Sequence, residues 1–253
     1  MFVGFDNPFA IFAIALVSQA MAAILGDFLR KRTHAFKQGE RHDFNTVQAA
    51  ILTLLALLIG FSFSMAVTGY DQRKTLEETE ANAIITAYLR AGLLPPDSGS
   101  RTRELLRKYL NLRIAFYEEG DGGRAAEIAR RTASVQGELW SAVQSVAASE
   151  PTATMALVLS GVNDVINAQG HAKAAFWTQI PVGAWVMMAL MAISCNVVVG
   201  YGERRKGELS LFVLPLVISL AFFLIADLDS PRRGVIRVHP QNLEAASQSM
   251  TLP

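Results

Sequence analysis

The chain has 253 residues, of which 51% are hydrophobic, and a positive mean hydropathy. Only 18% are charged, below the ~25% of an ordinary soluble domain, so the composition is that of a membrane protein with a sizeable water-exposed part. The formal net charge of +1 offers no electrostatic footprint for a nucleic acid, and the single cysteine, Cys195, cannot form an intramolecular disulfide.

The first apolar span runs from Pro8 to Gly26. No Lys or Arg precedes it, whereas a cleaved signal peptide carries a basic leader. The basic residues follow instead, at Arg30, Lys31, Arg32, Lys37 and Arg41. Ser18 and Gln19 are polar groups inside the span, so it is expected to pack on other helices.

The second span, Thr46 to Tyr70, has no ionisable side chain before Tyr70. It exceeds the ~20 residues a helix needs to cross ~30 Å of hydrocarbon. Thr53, Leu57, Phe61 and Ser64 recur at helical spacing on one face. Gly60 is expected to admit a close neighbouring backbone. Ser62, Ser64 and Thr68 add hydroxyls to the second half, and no stop signal follows Gly69, so the helix is expected to continue out of the membrane. This stretch reads either as a well-packed membrane helix or as a pore-lining one.

Residues 71–176 form a polar stretch with helical periodicity. Leu76, Ala83, Ile84, Ala87, Tyr88 and Ala91 continue the second helix, and Pro95-Pro96 ends it. Leu105, Tyr109, Leu112 and Phe116 mark another helix; Ile128, Thr132, Val135, Leu139, Val143 and Val146 mark a third. Leu157, Val158, Gly161, Val165 and Ala168 mark a fourth, read as running on into the next span. Glu77, Glu78 and Glu80 sit just beyond the second span. They read as a solvated helix face or as an acidic vestibule that concentrates cations.

The third span covers Trp177 to Gly200 and the fourth Leu209 to Ala226, with Pro215 inside it. A basic connection, Glu203-Arg204-Arg205-Lys206, joins them. After the fourth span comes Asp227-Leu228-Asp229-Ser230-Pro231-Arg232-Arg233-Gly234, an acidic pair followed by a basic pair at a membrane exit. The tail from His239 is expected to be flexible.

The fold class is therefore all-α: four transmembrane helices with an extramembrane helical bundle between the second and third. The expected divisions are 1–70, 71–176, 177–228 and 229–253. The most basic short loops, at 30–41 and 204–206, favour a cytoplasmic position for both and an external bundle. The histidines at 34, 42, 171 and 239 lack metal-ligand spacing, and no HExxH, CxxC or Walker loop occurs. No general acid–base pair is apparent, so no enzyme activity, metal or cofactor is expected.

Gly60-Phe61 with Ala66-Val67-Thr68 and Tyr70-Asp71-Gln72 resembles the second membrane helix of bestrophins. The wider pattern resembles the bestrophin-like domain family of bacterial membrane proteins, over about residues 10 to 240. It comprises Gly60 to Ser64, Glu80 to Ile84, Ala87 to Ala91, Leu94-Pro95 and the Asp227 to Gly234 exit. The resemblance implies a homo-oligomeric, pentameric ion channel in the bacterial inner (cell) membrane, with membrane lipid, inorganic ions and copies of itself as partners. The second helix would line the pore. Thr53, Leu57 and Phe61 would form its neck, and the hydroxyls of Ser62, Ser64 and Thr68 would follow. Anion (chloride) conduction is favoured by analogy, and cation conduction is the variant. Polar Thr53 departs from the apolar neck of the family. Asp227 and Asp229 are only a remote echo of the calcium-binding acidic run of animal bestrophins, so calcium gating is not expected. Bestrophins also place the bundle in the cytoplasm, opposite to the loop charges here. The competing reading is a membrane-anchored sensor or scaffold whose bundle binds a ligand or a partner.

Overall fold

The computed structural model describes residues 7–32, 38–120, 123–202 and 210–250. His34, Lys37, residues 121–122 and the basic connection at 203–206 lie outside them. The described residues form eight α-helices, one 3-10 turn and no strand. The helices are α1 (Pro8–Arg32), α2 (Gln38–Arg90), α3 (Pro96–Glu118), α4 (Ala125–Ser149), α5 (Ala153–Ala175), α6 (Val182–Gly202), α7 (Ser210–Asp229) and α8 (Gln241–Ser249). The 3-10 turn, Ala91–Leu93, follows α2. Four helices are long and apolar enough to cross a membrane: α1, α2, α6 and α7.

The chain divides into two compact units, 1–69 with 179–236 and 70–178 with 237–253. The first unit holds the membrane helices. α1 packs on α6 and α7. Its contact with α6 is backbone to backbone: a Cβ on Gly26 would collide with the Val197 carbonyl, and one on Gly200 with the Ala23 carbonyl. Gly60, by contrast, has nothing within 4 Å of an added Cβ, so it does not serve the close approach expected of it within this chain. Phe9 and Phe12 of α1 meet Phe223 of α7, and Trp185 of α6 meets Phe222. Without a hydrophobic drive between helices in lipid, such close packing and polar links hold them together. A fully buried polar link joins the three helices. Asn196 Nδ2 donates to Gln19 Oε1 (3.2 Å), and Gln19 Nε2 to Ser219 Oγ (3.4 Å). Pro215 stays inside α7, and Ser219 Oγ donates to its carbonyl at 2.7 Å.

The second unit is a helical bundle around Ile84, Leu106, Tyr109, Leu110, Leu139, Val143, Val158, Val162 and Val165. α2 continues into it as expected; it is one helix of 53 residues. Pro96 opens α3 at a position where the missing N–H costs nothing. Gly123, with φ of 79°, turns the chain before α4. Thr152 caps α5, its hydroxyl accepting the Met155 N–H.

Two expectations are corrected here. α5 does not run on into the third span: it ends at Ala175, and α6 starts at Val182. Pro181 disfavours helical backbone at Ile180, whose N–H is taken by the Asp229 carboxylate (3.0 and 3.3 Å). The segment after His239 is not a loose tail. It forms α8, which buries Leu243 and Ala246 completely in the core of the bundle, and Met250, just after the helix, is nearly as buried.

Candidate functional site

α2 is the barest of the four candidate spans, with 17% of its most apolar window buried. In the apolar stretch only Leu55, Ser62 and Ala66 are buried. At 3.6 residues per turn, Thr53, Leu57, Phe61, Ser64 and Thr68 fall within an arc of about 80°. All five are exposed, Leu57 by 53% and Phe61 by 61%. Thr53, Leu57 and Phe61 are thus stacked along two turns of one open face, spanning about 12 Å of helix. Ser62 departs from the expected hydroxyl row. It lies about 100° round the helix from Phe61, in phase with Leu55 and Ala66 on the packed side. Two of the hydroxyls on the open face bond back to their own helix. Thr53 Oγ1 donates to the Ala49 carbonyl and Thr68 Oγ1 to the Ser64 carbonyl, both at 2.9 Å. Each then offers oxygen lone pairs outward.

Of the three glutamates expected to form an acidic vestibule, only one is exposed. Glu78 is exposed, but Glu77 and Glu80 are 1% and 0% exposed inside the bundle. Glu80 accepts from Arg113 Nε (2.5 Å) and Nη2 (3.1 Å) and from the Tyr109 hydroxyl (3.1 Å). The Arg113 guanidinium lies over the Phe116 and Tyr117 rings. Burial pulls the Arg113 pKa down, but the Glu80 charge and hydrogen bonds more than offset it and hold it above its usual value. Burial, reinforced by the negative charge of Glu80, pushes the Tyr109 and Tyr117 hydroxyls well up. Glu77 closes on α8: its carboxylate accepts the backbone N–H groups of Asn242 (3.0 Å) and Leu243 (2.9 Å) and the Asn242 side-chain amide (2.7 Å). These are the orphan donors of a helix N-terminus, and an anion there also meets the favourable end of the helix dipole.

The exit motif is a backbone clasp. Buried Asp227 accepts the N–H groups of Val235 (2.6 Å) and Ile236 (2.8 Å), folding the chain back after α7. Gly234 fits because a Cβ there would lie 2.5 Å from the Asp227 carbonyl oxygen. Asp229 holds Ile180, as described, while Arg232 and Arg233 are half-buried. Both aspartates are thus spent on backbone donors. Among the described residues no three His, Cys, Asp or Glu side chains converge as metal ligands.

A family model described as "Bestrophin-like domain" matches residues 9–243. No curated protein matches the sequence. Among solved structures, three crystal structures of mutants of a bacterial bestrophin homologue from Klebsiella pneumoniae superpose along nearly the whole chain. One has a TM-score of 0.67 at 13% identity, covering 96% of this chain and 99% of that one. A second has 0.66 at 12%, covering 94% and 93%. The third has 0.65 at 12%, covering 95% and 97%. At such identity the likeness is one of fold. With an all-helical fold, four candidate spans and a family match over most of its length, the chain is a membrane protein of the bestrophin class. It belongs to the bestrophin-like domain family.

Proposed function

We propose that the chain is one subunit of an oligomeric ion channel in the bacterial inner membrane, with the conduction path along the open face of α2. The observation that carries this reading is that face. A membrane helix leaves Thr53, Leu57, Phe61, Ser64 and Thr68 uncovered on one side while Leu55, Ser62 and Ala66 pack on the other. Copies arranged around an axis would bring Phe61 and Leu57 together as an apolar constriction that gates by dewetting, with Thr53 as its polar end. A ring of five, and a preference for chloride, come from the family likeness. Glu78, the exposed member of the acidic trio, would favour cations if it faces the path.

The test is ion flux through purified protein in liposomes, under chloride and potassium gradients in turn, with wild type beside Phe61→Ala. Flux that rises in the variant supports a path along α2, and the more permeant ion sets its sign. Absence of flux in both, with folded and inserted protein, overturns the channel reading in favour of a membrane-anchored sensor or scaffold.

A further inference from the structure

Away from α2's membrane stretch, two arginines of the bundle share one tyrosine ring. Arg103 and Arg107 lie one turn apart on α3, and each guanidinium is centred 5.3 Å from the Tyr88 ring centroid. Arg107 Nη2 donates to the Tyr88 hydroxyl and to the Met250 carbonyl, both at 2.6 Å. Arg103 Nε reaches the Tyr88 carbonyl at 3.5 Å, and its Nη2 lies 2.5 Å from where a Cβ on Gly92 would stand. Neither arginine makes an ion pair with a carboxylate among the described residues. Glu104 on the same helix and Glu244 on α8 are both exposed and stay outside ion-pair range. Arg101 and Lys108, also exposed, add to the positive charge of this face.

Like charges at i,i+4 on a helix repel. Here they are also pinned by the aromatic ring, two carbonyls and a hydroxyl, so their positions are set in advance. Holding flexible side chains in place beforehand removes an ordering cost from binding. Arg103 keeps the end-on pair of Nη1 and Nη2 donors, which suits two oxygens of a phosphate, and Arg107 keeps its Nε and Nη1 donors and its charge beside it. We propose that Arg103 and Arg107, braced by Tyr88, form a binding site for a phosphate group, carried by a free phosphate or by a lipid headgroup. Arg107 has a structural duty as well, since it holds the carbonyl at the end of α8. Arg103 has none towards α8, which makes it the cleaner probe.

The test is calorimetric titration of the intact protein in mild detergent with inorganic phosphate, against chloride at equal ionic strength. Saturable phosphate binding is expected, weakened about tenfold or more by Arg103→Ala, the size of one charge-assisted pair lost. Arg103→Lys keeps the charge but loses the fork, and is expected to bind more weakly than wild type. Tyr88→Phe keeps the ring but loses the hydroxyl that holds Arg107, and is expected to weaken binding less than Arg103→Ala does. Unchanged thermal melting of Arg103→Ala separates loss of the site from loss of the fold. Repeating the titration with vesicles containing phosphatidic acid, against vesicles of phosphatidylcholine alone, identifies the source. Competition by phosphatidic acid assigns the site to a lipid headgroup, and its absence to a free phosphate. No saturable phosphate binding, or binding equal in wild type and Arg103→Ala, overturns the proposal.

Discussion

Glu80 and Arg113 form an ion pair with almost no solvent exposure, so each is the other's compensating charge. Removing one partner leaves a buried charge uncompensated, which costs about 3–5 kcal/mol. Arg113→Ala is therefore expected to lower the denaturation midpoint of the detergent-solubilised protein markedly, while the paired Glu80→Met, Arg113→Met variant recovers most of the loss. Equal destabilisation by the single and paired changes would refute this account. The neighbouring tyrosines give a second observable. Because the folded state keeps the Tyr109 and Tyr117 hydroxyls protonated beyond the ordinary range, it binds more protons than the unfolded state in alkali. Their contribution is thus complete below the usual tyrosine pKa of about 10 and falls as pH rises above it. Two of the five tyrosines should then ionise late in an absorbance titration, and stability should drop as they do. The glutamates were visible in the sequence as an acidic cluster, but not their burial. The signal was present in their phase. Glu77 and Glu80 recur at helical spacing with Ile84, Ala87 and Ala91, the stripe that packs. Their partners are distant, since Arg113 is 33 residues from Glu80 and Leu243 is 166 from Glu77, and no local pattern announces such pairs.

At the scale of elements, periodicity and length identified the four spans and the four bundle helices within a few residues. What they missed were the joints and α8, whose segment was expected to be a loose tail. A run of apolar positions from α5 towards α6 looked continuous because the break is imposed by Pro181 together with a carboxylate from α7. The exit motif was legible as a pattern but not as a clasp, since its donors are backbone N–H groups. Two substitutions test these contacts. Gly200→Leu is expected to separate α1 from α6, because no side chain fits against the Ala23 carbonyl; cross-linking between cysteines placed on the two helices should be lost. Glu77→Ala removes the acceptor for three donors of α8 and is expected to raise hydrogen exchange throughout Asn242–Ser249 while sparing α4 and α5. Unchanged exchange in Asn242–Ser249 would show that α8 is held by its apolar side chains alone.

For the whole molecule, assembly is the deciding quantity. α2 cannot enclose a path alone, so the channel reading requires several copies, and particle mass in mild detergent should correspond to a ring of five. A monomer would leave the uncovered face of α2 to lipid. The family pattern was readable from Gly60-Phe61 and the Asp227–Gly234 exit, whereas the open face became evident only once burial distinguished Ser62 from Ser64. The clasped α8 also has a consequence for biosynthesis. The bundle is assembled from 70–178 and 237–253, and α6 and α7 are made in between. At about 5–20 residues per second, the ribosome takes several seconds to cross that interval. During this time α3, α4 and α5 exist without Leu243, Ala246 and Met250, and the seam they fill stays open to any chaperone or protease within reach. A chain truncated before Asn242 is therefore expected to yield inserted membrane helices bearing a bundle that proteases cut readily, and extension through Met250 should close it.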